Sequence, residues 1–213
     1  MSRILRSVSY FILCTVLVFA IASHGLAQTP AQNDSAASKA SKSKSLPLIT
    51  TRTLEFTTDE ATWLSLDLSP DGWTIVFDLL GDLYTLPVAG GEATRITSGQ
   101  AYDMQPHYSA DGTRLVFVSD RNGSENVWIA DADGSDARAL TTDERENYMS
   151  PVWTPDGDYV IAVKGSQLWL YHRRGGSGVQ LTGHREEGEQ APAAHLGPAF
   201  GHDPRYLWVN VRG

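Results

Sequence analysis

From residue 50 onward the apolar residues fall into short runs, alternating or unbroken, and nowhere show the 3.6-residue spacing of an amphipathic helix. The unbroken runs are "WTIVFDLL" (73–80), "RLVFVS" (114–119) and "YVIAV" (159–163). They have the character of strands covered on both faces. Each follows a shorter run, "WLSLDL", "QPHYS" or "SPVWT", and is joined to it by Ser-Pro-Asp-Gly, Ser-Ala-Asp-Gly or Thr-Pro-Asp-Gly. Pro70 and Pro155 preset φ at the second position of a turn, the aspartate accepts from the turn's own backbone, and the glycine takes φ > 0. A type I turn ending on such a glycine makes a tight hairpin with a bulge. The third run alternates, with apolar positions at Leu83 and Leu86, Val127 and Ile129, and Leu168 and Leu170. Turns at Gly90-Gly91, Asp133-Gly134 and Gly175-Gly176 then lead to a fourth run, "TRIT", "RALT" or "VQLT".

These four runs repeat as a unit. The turn glycines Gly72, Gly112 and Gly157 are 40 and 45 residues apart, and Thr97, Thr141 and Thr182 follow each by about 25. A period of this length with four strands per unit is the spacing of a β-propeller blade. The predicted class is therefore all-β: an incomplete propeller with blades at about 63–97, 104–141 and 149–182, plus a partial blade at 197–213. In the partial blade Pro198 and Asp203 keep the spacing of Pro106 and Asp111, but Pro204 replaces the turn glycine. Upstream, "TRTLEFTT" stands where an outer strand would precede the first blade, as expected of a strand that closes a ring on its last blade. Three and a part blades leave two open faces. If each exposes roughly 400 Å² of apolar surface, about 10 kcal/mol of burial is forgone per face. That rivals a domain's whole net stability of about 5–15 kcal/mol, so the chain is expected to be the front part of something longer.

The first 50 residues differ. Arg3 and Arg6 precede an apolar stretch from Tyr10 to Ala22, and Gly25-Leu26-Ala27 follows with small residues at the two positions a signal peptidase reads. This predicts a helical secretory signal over 1–27, with the stretch too short to span a bilayer, and export, as to a bacterial periplasm. Residues 28–49 read as a disordered linker of Ala, Ser, Gln and Lys. The single cysteine, Cys14, lies inside the signal, so the exported chain would carry no disulfide. Its net charge changes from −8 to −10, with 15 basic against 25 acidic residues once Arg3 and Arg6 are gone. That excludes nucleic acid and anionic membrane as expected partners.

No constellation in the chain builds a catalytic centre, and no catalytic, cofactor-binding or metal-binding residue is assigned. His184, His195 and His202 fall within one blade junction, but loop and turn positions account for them. Asp131, Asp133 and Asp136 lack the distal glutamate of a calcium loop and read as a hairpin turn. "GGSGV" lacks the last glycine of a nucleophile elbow. Asn122-Gly123-Ser124 fits a glycosylation sequon without a context for it. Glu125, Glu144, Arg145 and Glu146 lie on blade connections; a channel mouth is one reading of them, and a solvated rim accounts for them. Trp63, Trp73, Trp128, Trp153, Trp169 and Trp208 recur at blade positions and are expected to pack between sheets.

The unit P-x-[YW]-[ST]-x-D-G-x-x-[LVI], with "SDRNGSENVWIADADGSDARALT" (119–141), resembles the repeat of TolB-type periplasmic propellers. "LSPDGWTIVFDLLGDLYTLPVAGGEATRIT", together with "SPVWTPDGDYVIAVKGSQLWLYHRRGGSGVQLT", is similar to the N-terminal propeller of exported amidohydrolases. That resemblance implies a scaffold or interaction module whose metal-dependent domain, with a divalent ion such as zinc, lies downstream and is the expected partner. The same blades also precede other enzymes, so the alternatives are a non-enzymatic TolB-type binding propeller and the gating propeller of a prolyl oligopeptidase-like peptidase.

Overall fold

The computed structural model describes residues 52, 54–183, 193–201 and 203–212. The expected signal helix and the whole of the expected linker lie outside the described residues, as do His184 and His202. Among the described residues every regular element is a strand. Three four-stranded antiparallel sheets follow in chain order. The first holds β1 (Leu66–Leu68), β2 (Thr74–Leu79), β3 (Asp82–Pro87) and β4 (Thr94–Arg95). The second holds β5 (Asp103–Tyr108), β6 (Arg114–Ser119), β7 (Asn126–Asp131) and β8 (Arg138–Ala139). The third holds β9 (Tyr148–Trp153), β10 (Tyr159–Lys164), β11 (Gln167–His172) and β12 (Val179–Gln180). A two-stranded sheet, β13 (Ala194–Phe200) and β14 (Leu207–Arg212), begins a fourth blade.

The repeated turns form as their residues require. Gly72, Gly112 and Gly157 adopt φ of 79°, 71° and 70°, and their N–H groups each donate 2.8 Å to the carbonyl of Ser69, Ser109 or Thr154. The hydroxyls of those same residues donate to Asp71, Asp111 and Asp156 at 2.5–2.6 Å. Each aspartate also accepts from the N–H two residues on. The recurrent threonines have an equally concrete task. β4, β8 and β12 are only two residues long. The hydroxyls of Thr97, Thr141 and Thr182 extend the pairing by accepting from the N–H of Leu83, Val127 and Leu168 at 2.8, 3.0 and 3.0 Å.

The core lies between blades. Leu115 and Phe117 of β6 meet Val76 and Leu83 of the first blade, while Val116 of β6 meets Val160 and Ala162 of the third. Ile161 and Val163 of β10 pack against Leu196, Phe200, Leu207 and Val209 of the partial blade. Both second strands are thus covered on both faces, which is why they read as unbroken apolar runs. Phe117 is wholly buried, worth about 2–3 kcal/mol relative to exposure. The expected alternation of the third strand holds in β7, where Val127 and Ile129 share one face toward the third blade, while Trp128 and Ala130 on the other face pack with the first blade, so this strand too is covered on both sides. Among the described residues the first blade has a neighbouring blade on one side only. Leu66 and Leu68 remain 59% and 49% exposed, beside half-buried Ile75, Phe77 and Leu86 on the same face. Residues 54–62 pair with no strand among those described, and Leu54 and Phe56 are exposed.

A further repeated feature was invisible in the composition of the runs. Gln105, Ser150 and Gly197, each preceding a proline, have φ of 55°, 49° and 58°. Each lies in a bulge of its blade's first strand, at Met104/His107, between partners of Ile161/Val163, and at Leu196/Ala199. The bulge lets Pro106, Pro151 and Pro198 occupy a strand without forfeiting a ladder hydrogen bond. It also ties blades together. Asp78 accepts from the Gln105 N–H at 2.7 Å, and the Gln105 side chain accepts from the Ser150 N–H at 2.6 Å.

Candidate functional site

A cavity of about 500 Å³ lies between the outer parts of the second and third blades. It is bounded by the end of β8, the connection 142–147, the ends of β9 and β10, Tyr171 of β11 and the turn at Gly176-Ser177. The connection is held from below by Asn126, which is fully buried. Its side-chain oxygen accepts from the Asp143 N–H and the Thr141 hydroxyl at 2.9 and 2.8 Å, and its amide group donates to the Asp143 carbonyl at 2.9 Å. The Ser124 hydroxyl donates to that same carbonyl. With its backbone gripped in this way, Asp143 presents its carboxylate to the Lys164 ammonium at 2.6 Å.

Lys164 also lies over the rings of Trp169 and Tyr148, 5.0 and 5.7 Å from their centroids. The hydrogen bond to Asp143 raises the Lys164 pKa against the opposing effect of burial, and the same bond lowers that of Asp143. Both groups are charged at neutral pH. Beneath them the hydroxyls of Tyr148 and Tyr171 are 3.0 Å apart, with their rings edge to face. Burial above all, then the bond to Tyr148, pushes the Tyr171 pKa upward, so this phenol stays protonated. Gly178 makes room for it: at φ 75°, a Cβ there would sit 2.3 Å from the Tyr171 ring. Among the lining residues no serine or threonine hydroxyl is hydrogen-bonded to a histidine or lysine. The arrangement offers polar recognition rather than an activated nucleophile.

Glu144 and Arg145 are exposed, as a solvated rim requires, and line this cleft on the connection that follows β8. Glu125 contributes its carbonyl to the Tyr148 N–H at 3.0 Å. The other flagged residues are dispersed. His107 faces Asp67 at 3.5 Å on neighbouring first strands, His172 packs edge-on against Tyr159, and His195 lies by the Ala193 carbonyl. Among the described residues no group of three histidine, cysteine or acidic side chains is placed to hold a metal. The Asp131–Asp136 stretch is a turn: Asp133 accepts from the N–H and hydroxyl of Ser135. Trp153 is buried and Trp128 and Trp169 pack against the core, as expected. Trp63, Trp73 and Trp208 do not: they are 100%, 72% and 67% exposed, and belong to the first and partial blades, each of which has an uncovered face.

Sequence reasoning passed over the buried amide. Asn126 and Gln167 both stand 15 residues before the recurrent threonine, and both accept from its hydroxyl at 2.8 Å. Gln167 donates to the Ala193 carbonyl just as Asn126 donates to that of Asp143. The repeated amide at that offset was the available signal.

Comparison with known proteins extends this picture. The model of the tricorn protease N-terminal β-propeller domain matches residues 66–210. An uncharacterized protein of Agrobacterium fabrum is 32% identical over 99 residues, covering 45% of this chain and 33% of that protein. Tricorn protease homolog 1 of Streptomyces coelicolor is 31% identical over 88 residues, covering 41% of this chain and 8% of the homolog. The matched part thus spans a third or less of either relative. The crystal structure of TolB from Acinetobacter baumannii superimposes with a TM-score of 0.56 at 22% identity, covering 68% of this chain and 37% of that one. The likeness to TolB is one of fold.

Proposed function

This chain belongs to the tricorn protease N-terminal β-propeller family, and on that premise we propose that it is the non-catalytic propeller part of a larger exported peptidase, gating or scaffolding a catalytic domain elsewhere in the protein. The observation that carries the reading is the family match over the blades together with the alignment to a tricorn protease homolog. The uncovered apolar face of the first blade supports it, since further blades would bury Leu66 and Leu68. The charged, apolar and small-residue order of 1–27 supports export, with Gln28 as the first residue after cleavage. An amidohydrolase partner domain with its own divalent metal is the second reading, and it rests on the sequence similarity over residues 68–97 and 150–182.

The test compares the purified chain with the protein extended through whatever coding sequence follows residue 213. The peptidase reading expects no hydrolysis of short peptide substrates by the 213-residue chain and hydrolysis by the extended protein. Metal-dependent amide hydrolysis that spares peptides would favour the second reading. Peptide hydrolysis by the 213-residue chain itself would refute both.

A further inference from the structure

The cleft between the second and third blades has one more hydrogen-bond donor than the protein satisfies. Tyr148 and Tyr171 are 2% and 3% exposed, and their two hydroxyls share one mutual hydrogen bond. Two phenols carry two hydrogens, so that bond uses only one of them. The neighbouring Lys164 ammonium cannot accept the other. No described residue accepts it, and both tyrosines line the cavity. A buried polar hydrogen of this kind calls for an acceptor oxygen from outside the protein.

Charge decides what sort of oxygen. Lys164 and Asp143 neutralise each other at 2.6 Å, and Arg145 and Glu144 stand side by side on the connection above. The cleft therefore has no net positive field, and the chain as a whole carries −8. A formal anion would gain nothing there and would be repelled at a distance. A hydroxyl group accepts and donates at once, so it can take the tyrosine hydrogen and give its own to Glu144. Thr142 and Ser177 add exposed hydroxyls at the rim, and about 500 Å³ falls within the range of small-molecule clefts.

We propose that this cleft binds a neutral polyhydroxylated ligand, a mono- or disaccharide, through the Tyr148–Tyr171 pair and the connection at 142–145. The proposal does not depend on the peptidase reading, because it concerns a peripheral surface formed by described blades only. The test titrates the full chain, isotopically labelled, with glucose, maltose, N-acetylglucosamine and, separately, acetate, following amide shifts of Thr142, Glu144, Gly176 and Ser177. One of the sugars should shift these amides in a saturable way, and the double variant Tyr148→Phe/Tyr171→Phe, which removes both phenol hydrogens, should weaken that binding by about tenfold, the share of one neutral hydrogen bond. Should the double variant fail to fold, Glu144→Ala at the exposed rim should also weaken it. Saturable shifts with acetate and none with sugars would overturn the assignment of a neutral ligand. No saturable shift with any probe would mean that water alone satisfies the tyrosine pair, and would overturn the proposal.

Discussion

Replacing Asn126 by alanine should cost more than any single contact suggests, because the amide serves Asn122, Ser124, Thr141 and Asp143 at once. The side chain is fully buried. Its loss leaves the Asp143 N–H and the Thr141 hydroxyl hydrogen without their acceptor, at 2.9 and 2.8 Å in the native protein. The Asp143 carbonyl loses one of two donors but keeps Ser124. Two buried donors stranded at about 1–3 kcal/mol each, with partial relief from water entering along the cleft, give about 2–4 kcal/mol. In a chain of this size each kcal/mol lowers Tm by about 2–4 °C, so the expected fall is roughly 4–16 °C. Urea unfolding followed by tryptophan fluorescence measures the free energy, and hydrogen exchange at Asp143 locates it. A loss below about 1 kcal/mol with unchanged exchange at Asp143 would refute the view that Asn126 anchors the connection.

Two further outcomes follow from the repeated features. The carboxyls of Asp71, Asp111 and Asp156 are held below the usual 3.8, first by the Ser69, Ser109 and Thr154 hydroxyls and then by backbone N–H groups. A depressed folded pKa contributes stability above 3.8 that is lost as pH falls through it, so Tm should drop below about pH 4, and less steeply in Asp111→Asn; parallel Tm profiles for the two proteins would contradict this. At Ser150, whose φ of 49° strains any side chain, valine should cost about 1–2 kcal/mol while glycine should be tolerated, as Gly197 is at the matching position. Equal unfolding midpoints for Ser150→Val and Ser150→Gly would show that the left-handed conformation is not retained.

Much of the blade was legible in the chain because its determinants are local. A Ser-Pro-Asp-Gly or Ser-Ala-Asp-Gly turn closes through atoms within five residues of one another, as at Ser69–Thr74 and Ser109–Arg114. The unbroken apolar run of β6 announced burial on both faces, and Phe117 and Val116 lie on opposite ones. What failed to show was whatever depends on the neighbouring blade. The same apolar character in β2 is half exposed, since hydrophobicity states a demand for cover and cannot say whether a sheet is there to meet it. Trp63, Trp73 and Trp208 were misplaced for that reason. The left-handed Gln105 and Ser150 have no glycine to mark them; the conformation is imposed by the bulge and by the hydrogen bonds their N–H groups donate to the preceding blade. The cleft is the clearest case. Asn126, Asp143, Tyr148, Lys164 and Tyr171 are spread over four strands and a connection, and none is unusual alone. Only the packing of the second blade on the third brings the two phenols within 3.0 Å of each other at the wall of one cleft. Local chemistry determined the turns, the strands and their period, whereas the site arises from long-range contacts whose partners a linear reading cannot pair.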